Sequence, residues 1–152
     1  MHIATRVATC ADHGWLRDLN RLAYEDVVRQ QFGLWDDTTQ RELFDSSLEH
    51  AAFRIVEVNQ EPIAAVWSEE RDDHVWLHEL QVLPEFQNQG IGSEILSVEV
   101  VRAEALNKPV RLHVLIQSRA RDFYRKNGFV ETGRGEVFVD MESSPRQFAG
   151  GT

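Results

Sequence analysis

Apolar positions along the chain change period several times, and each change marks an element. Ile3 to Ala8 reads as a first strand. Trp15, Leu16, Leu19, Leu22, Ala23, Val27 and Val28 then recur at helical spacing, with Asp12 as N-cap and Gly33 as stop. Asp37, with Gln40 three residues on, forms a capping-box-like start to a shorter helix carrying Leu43, Phe44 and Leu48. Between these helices Phe32 and Trp35 are large aromatics beside acids; Phe32 reads as core tucked under the loop. Phe53 to Val58 and Ile63 to Ser68 are strands around Asn59-Gln60-Glu61, a hairpin signal.

Arg71-Asp72-Asp73 turns the chain into a β-former-rich run from Val75 to Leu83. Pro84 ends that strand, because it has no N–H for a sheet neighbour. A glycine-punctuated loop, Gln87 to Gly92, follows. Beyond Ser93 the positions Ile95, Leu96, Val98, Val100, Val101 and Leu106 predict a helix with a wide buried stripe. Lys108-Pro109 ends it, and Val110 to Ile116 is the next strand. Ser118 to Asn127 predicts a last helix, with Gly128 at its C-terminal cap. Val130 to Thr132 and Val137 to Met141 close the pattern as two short strands. The tail from Ser143 to Thr152 reads as disordered, so one domain spans residues 1–142 with no internal repeat.

Composition changes this picture little. A chain of 152 residues, 42% hydrophobic and 27% charged, fits one globular domain. The formal net charge of −9 argues against nucleic acid, which needs a basic face, and mildly favours a cationic or amine-bearing partner. Cys10 is the only cysteine, which excludes an intrachain disulfide and fits a reducing compartment. No stretch is long and apolar enough for a signal peptide or a membrane span, so the expectation is a cytosolic protein without membrane contact. His2, His13, His50, His74 and His113 show no ligand spacing with a carboxylate or cysteine, and no metal is expected.

Chemistry enters with the strand–glycine loop–helix unit. First-turn amides of a helix have no partners inside it, and the dipole adds partial positive charge there, so a pyrophosphate is the natural guest. A P-loop would need a lysine after Gly92, and a dinucleotide fingerprint a third glycine where Ile95 stands. What remains is Q-x-x-G-x-G, at Gln87, Gly90 and Gly92, behind V-L-P-E. A second block, Ala120, Phe123, Tyr124, Gly128 and Phe129, reads A-x-x-F-Y-x-x-x-G-F.

Together the two blocks resemble the GNAT superfamily of acetyl-CoA-dependent N-acetyltransferases, by element order over roughly residues 3–141. The resemblance implies one α/β (α+β) domain: a mixed, mostly antiparallel sheet of about seven strands flanked by about four helices. It implies a pyrophosphate loop of Gln87, Asn88, Gln89, Gly90, Ile91, Gly92 and Ser93, with Leu80 and Val82 of the preceding strand also on the cofactor. Ser118 stands where the family usually has asparagine; it can cap the helix but loses the amide's reach. Tyr124 resembles the tyrosine beside the CoA sulfur that protonates the leaving thiolate. Its alternative is an aromatic packed between helix and sheet.

For the base, strict alternation points Trp76, His78, Leu80 and Val82 one way and Leu77, Glu79, Gln81 and Leu83 the other. In polyamine N-acetyltransferases, which share the G-I-G-S-E-I-L run of Gly90 to Leu96, a glutamate aligns with His78. In arylalkylamine N-acetyltransferases a histidine does. His78 is therefore the first candidate, its unperturbed pKa of about 6.5 suiting a base. Glu79 is the fallback, if a bulge turns it inward, and a water chain is a third route. Tyr24 and Trp35 are candidate walls of the acceptor pocket. The expected reaction is acetyl transfer to a primary amine, of a small molecule or a peptide, by direct attack in a ternary complex. Many members are dimers, so a homodimer fits too. Two competing readings stand beside it: a non-catalytic acyl-CoA-sensing module, and an unrelated α/β domain with a chance glycine loop.

Overall fold

The computed structural model describes residues 3–48 and 53–144. Its strands are β1 (Ile3–Val7), β2 (Arg54–Val58), β3 (Glu61–Glu70), β4 (Val75–Val82), β5 (Val110–Leu115), β6 (Phe129–Arg134) and β7 (Phe138–Ser143). The helices are α1 (His13–Phe32), α2 (Asp37–Leu48), α3 (Ile91–Ala105) and α4 (Ala120–Lys126). All seven strands join one sheet in the order β1-β2-β3-β4-β5-β7-β6. Every neighbouring pair is antiparallel except β4 and β5.

That parallel pair is short. β4 and β5 are in register only at Val75↔Val110 and Trp76↔Arg111. Past Trp76 the two strands part, and the β4 edge from Leu77 to Val82 has no strand beside it on that side. A sheet held at one end and open at the other leaves a wedge with unpaired backbone polar groups on its wall.

Core residues separate onto the two faces with the strand period of two. Val56 and Val58 face a layer built on α3 and α4, with Leu77, Ile95, Leu96, Leu112, Tyr124 and Phe129. Ile55, the residue before Val56, faces α1 and α2 with Leu16, Leu19, Phe44 and Phe53. The β2–β3 hairpin turns on Asn59 and Gln60, at φ 52° and 68°. Two consecutive left-handed residues make the tight turn whose twist matches the strands, so Glu61 pairs with Val58 inside the strand rather than sitting in the loop.

Several sequence expectations shift. α3 begins at Ile91, before Ser93, and its buried stripe is Ile91, Ile95, Leu96, Glu99, Val100 and Ala103. Val98, Val101 and Leu106 are exposed. Glu99, only 3% exposed, takes the place a valine was expected to fill. Its carboxylate is bonded by Arg54 of β2, while Ser68 of β3 donates to it at 3.1 Å, so the buried charge is paired. Leu22 is exposed, and so is Phe32, at 52%, where core was expected. Asp12 does not cap α1 with its side chain; the carboxylate accepts from the Thr9 amide and from Arg6. α4 begins at Ala120, two residues after Ser118. β7 runs through Ser143, whose buried hydroxyl accepts from the Val110 amide at 2.9 Å, so Ser143 is sheet and not tail. Residues 145–152 of the expected tail, with His2 and His50, lie outside the described residues.

Candidate active site

The site is organised by an irregularity in β4. Trp67 pairs with Glu79 and Ser68 with Leu77, so His78 is an extra residue with no β3 partner. A bulge of this kind shifts the alternation by one. Val75 and Leu77 face the α3 layer, and so do Leu80 and Val82 beyond the bulge. His78, Glu79 and Gln81 all reach toward the α1 side. The strict alternation expected from the sequence therefore fails here, and His78 and Glu79 share a face.

Glu79 is bonded by Tyr24 of α1, whose hydroxyl donates to Oε2. Gln81 Nε2 donates to the same oxygen at 3.1 Å, and also to Oδ1 of Asn20 at 3.1 Å. Burial pushes the Glu79 carboxyl up to about 7, against the pull of its two donors. Burial, then the Glu79 carboxylate, holds the Tyr24 phenol well above its ordinary value. Tyr124 of α4 feels the same charge: its phenol is raised by burial and, secondarily, by Glu79. So three elements bring Tyr24, Glu79 and Tyr124 into one electrostatic neighbourhood. The Tyr124 ring is held by Phe123 and Phe129, with centroids 5.2 and 5.4 Å away.

His78 is engaged elsewhere. Its Nε2 lies 3.0 Å from Glu69 Oε1, and its ring stacks on Trp67 at 3.8 Å. Trp76 stands edge-on to His78 and to His113, and the His113 ring stacks on Phe138 at 3.9 Å. These five rings form a row across β3, β4, β5 and β7. His113 is exposed as a residue but its ring is partly shielded; that burial lowers its pKa, against the opposing pull of Asp140.

The glycine loop lies at the wedge's open end. Asn88 and Gly90 have φ of 63° and 81°. Gln87 and Gln89 turn their amides back onto the Val82 and Glu85 carbonyls, both at 2.9 Å, and so brace the loop. Gly90 caps α3, no side chain caps its first turn, and the first helical bond runs from the Glu94 amide. The amides of Ile91, Gly92 and Ser93 are thus left for an outside acceptor. A Cβ at Gly90 would meet nothing within 4 Å, so the cradle is open. A Cβ at Gly92 would lie 3.3 Å from the Phe123 ring, so this glycine is needed for α3 to approach α4. This loop fits a pyrophosphate. The Ile91 side chain is core, leaving only its backbone for a ligand, and Leu80 and Val82 pack against the main core. Ser118 Oγ accepts from the Ala120 amide at 3.1 Å, which caps the first turn of α4.

Tyr24, expected as a pocket wall, has its hydroxyl bonded to Glu79. Trp35 is buried, donates to Asp37 at 3.3 Å, and lines a small cavity between α1 and α2 with Arg17, Asn20 and Phe44. Sequence reading missed Asn20, Gln81, Trp67 and Gln31. Gln31 spans the wedge: it donates to the Val137 carbonyl at 3.0 Å and accepts from the Gln117 amide at 3.2 Å. One signal was present. Asn20, Tyr24, Val27 and Gln31 fall at helical spacing on one face of α1, three of them polar on a stripe that also holds core. Among the described residues no cluster of three His, Cys, Asp or Glu is placed to hold a metal, and no helix is long and apolar enough to cross a membrane.

None of the curated proteins compared with the sequence matches it. Among solved structures, the PaiA N-acetyltransferase of Thermoplasma acidophilum, in complex with coenzyme A, is 18% identical over 95% of this chain and 100% of its own, with a TM-score of 0.74. PH1933 of Pyrococcus horikoshii is 19% identical over 96% and 100%, with a TM-score of 0.74. The ribosomal-protein-S18-alanine N-acetyltransferase of Escherichia coli is 17% identical over 97% and 99%, with a TM-score of 0.66. The TM-scores show a shared fold, and at these identities they show the fold alone. The family model for the acetyltransferase (GNAT) domain matches residues 49–131, more than half of the chain. With that match spanning the bulged strand, the glycine loop and α4, the chain belongs to the GNAT acetyltransferase family.

Proposed function

We propose that this protein transfers an acetyl group from acetyl-CoA to a primary amine by direct attack in a ternary complex, with Glu79 as base and Tyr124 as acid. The carrying observation is the pairing, at the wedge between β4 and β5, of a carboxyl raised to about 7 with a phenol raised beyond its ordinary value. Such a carboxylate can take a proton from an ammonium near neutral pH, and such a phenol still has its proton to give. His78 supports the base role less well, since Glu69 and Trp67 already hold its ring.

Acetyl-CoA supplies the acyl group as a thioester. The first-turn amides of α3, from Ile91 to Ser93, with the braced loop of Gln87, Asn88, Gln89 and Gly90, would hold its pyrophosphate. The β4 edge at Leu80 and Val82, which has no strand beside it, offers backbone partners for its amide-bearing arm besides the Val82 carbonyl that Gln87 already bonds, and Ser118 stands two residues before α4 beside that path. Glu79 removes a proton from the bound ammonium, so that a neutral nitrogen attacks the carbonyl carbon. As the carbon–sulfur bond breaks, Tyr124 gives its proton to the sulfur. The ring row from Trp67 to Phe138 forms the floor on which the acceptor rests, with Tyr24 above the base and Trp35 further out, between α1 and α2.

Both acceptor types fit this reading. The neighbours include an enzyme named for an alanine of a ribosomal protein and a spermidine N-acetyltransferase chimera from Vibrio cholerae. A cytosolic location is supported by the lone cysteine, and a homodimer rests on the family habit alone. The test is thiol release from acetyl-CoA over a panel of amines. Glu79→Gln should lower turnover about 10²-fold or more and remove the acid limb of the pH–rate profile. An active variant that keeps the limb would move the base elsewhere, and His78→Ala is then the next variant. No thiol release with any amine, alongside tight CoA binding, would favour the sensing module.

A further inference from the structure

We infer that Gln81 and Asn20 are positioning residues that clamp one oxygen of Glu79 and so assign the amine's proton to the other. This rests on Glu79 being the base. Two donors converge on Oε2, the Tyr24 hydroxyl and Gln81 Nε2. Oε1 takes no hydrogen bond from any described residue. With Oε2 carrying a phenol and an amide, the free lone pairs lie on Oε1.

The amide's orientation is fixed by what it touches. Nε2 has two hydrogens; one goes to Glu79 and the other to Asn20 Oδ1. A flipped amide would set its oxygen against both of those oxygens. The orientation that results leaves Gln81 Oε1 buried and without a partner. An orphaned buried acceptor is destabilising, and an apolar side chain at this position, 3% exposed and opposite Ala65, would avoid it. The amide's gain is at the carboxylate. It donates to the ionised form, holds the carboxyl below where burial alone would put it, and keeps Oε2 occupied so that Oε1 is the oxygen left to accept.

No other group stands in for it. The titratable neighbours are Tyr24 from α1, Tyr124 from α4, and His78 on β4 with Glu69 of β3 behind it; His113 lies further off on β5. Tyr24 already donates to Oε2, and Tyr124 is needed at the sulfur.

Gln81→Met tests this, since it keeps the length and removes both the donor and the orphaned oxygen. CoA affinity and thermal stability should stay at parent values or better. The acid limb of kcat/KM should move to higher pH by about half a unit or more, and kcat should fall several-fold. Asn20→Ala, which only frees the amide, should move the limb the same way by less, and it serves if the methionine variant does not fold. The inference is overturned if the variants leave the limb at its parent position while Glu79→Gln abolishes it; the base reading would then survive. If Glu79→Gln itself keeps the limb, the base reading falls and the clamp falls with it.

Discussion

Glu79→Gln should make the protein's stability less dependent on pH, quite apart from activity. The carboxyl has an ordinary value of 4.5 and a folded value of about 7. Its folded pKa therefore lies above its unfolded one, so folding favours the protonated form. That contribution is fully present below about pH 4.5 and is lost as pH rises through about 7. The shift of about 2.5 units, at about 1.4 kcal/mol each, puts the loss on the order of 3 kcal/mol. Glutamine keeps an oxygen for the Tyr24 hydroxyl and cannot ionise. Parent and variant should have similar stability near pH 4.5 and diverge above it, the variant being more stable by about 3 kcal/mol at pH 8. For a chain of this size that is a difference of roughly 6–12 °C in Tm. Urea unfolding of both proteins at several pH values between 4.5 and 8.5 measures it directly. A stability difference that is constant across this range would refute the reasoning, because Glu79 would then titrate alike in the folded and unfolded chain.

Two further outcomes probe the remaining parts of the site. Gly92→Val should weaken CoA binding by at least about tenfold in calorimetry and also lower stability, because its Cβ would press on Phe123 at 3.3 Å and displace α3 from α4; unchanged affinity in the folded variant would refute the pyrophosphate loop. Tyr124→Phe removes one hydroxyl and keeps the ring between Phe123 and Phe129, so turnover should drop about 10²-fold while CoA affinity stays within about twofold. The drop should shrink with acyl donors whose leaving thiol is more acidic, and normal turnover with acetyl-CoA would reduce Tyr124 to packing.

What the sequence determined by itself is what local chemistry encodes. The order of seven strands and four helices follows from apolar period and from Gly and Pro punctuation, each of which acts within a few residues. The glycine loop was legible because Gly90 needs a left-handed φ and the helix after it exposes first-turn amides whatever lies around it. The block around Tyr124 was legible for the same reason, its residues spaced by the helix and by the Gly128 cap that ends it.

The tertiary structure alone decided the chemistry of β4. Period-two alternation assigns faces only while the register holds, and one inserted residue at His78 moves Glu79 to the face of α1. Nothing local signals that insertion, because a bulge is set by how two distant strands meet. The same holds for Glu99, which reads as a solvated charge until Arg54 and Ser68 close on it from β2 and β3. Phe32 shows the converse: aromatic composition suggested core, yet the end of α1 leaves it exposed while Gln31 beside it ties α1 across the wedge. Burial, and with it the raised carboxyl of Glu79, is a property of partners that arrive from Tyr24, Gln81 and the far side of the sheet. A one-dimensional pattern carries the propensity of each residue but not the identity of the neighbour that removes its water.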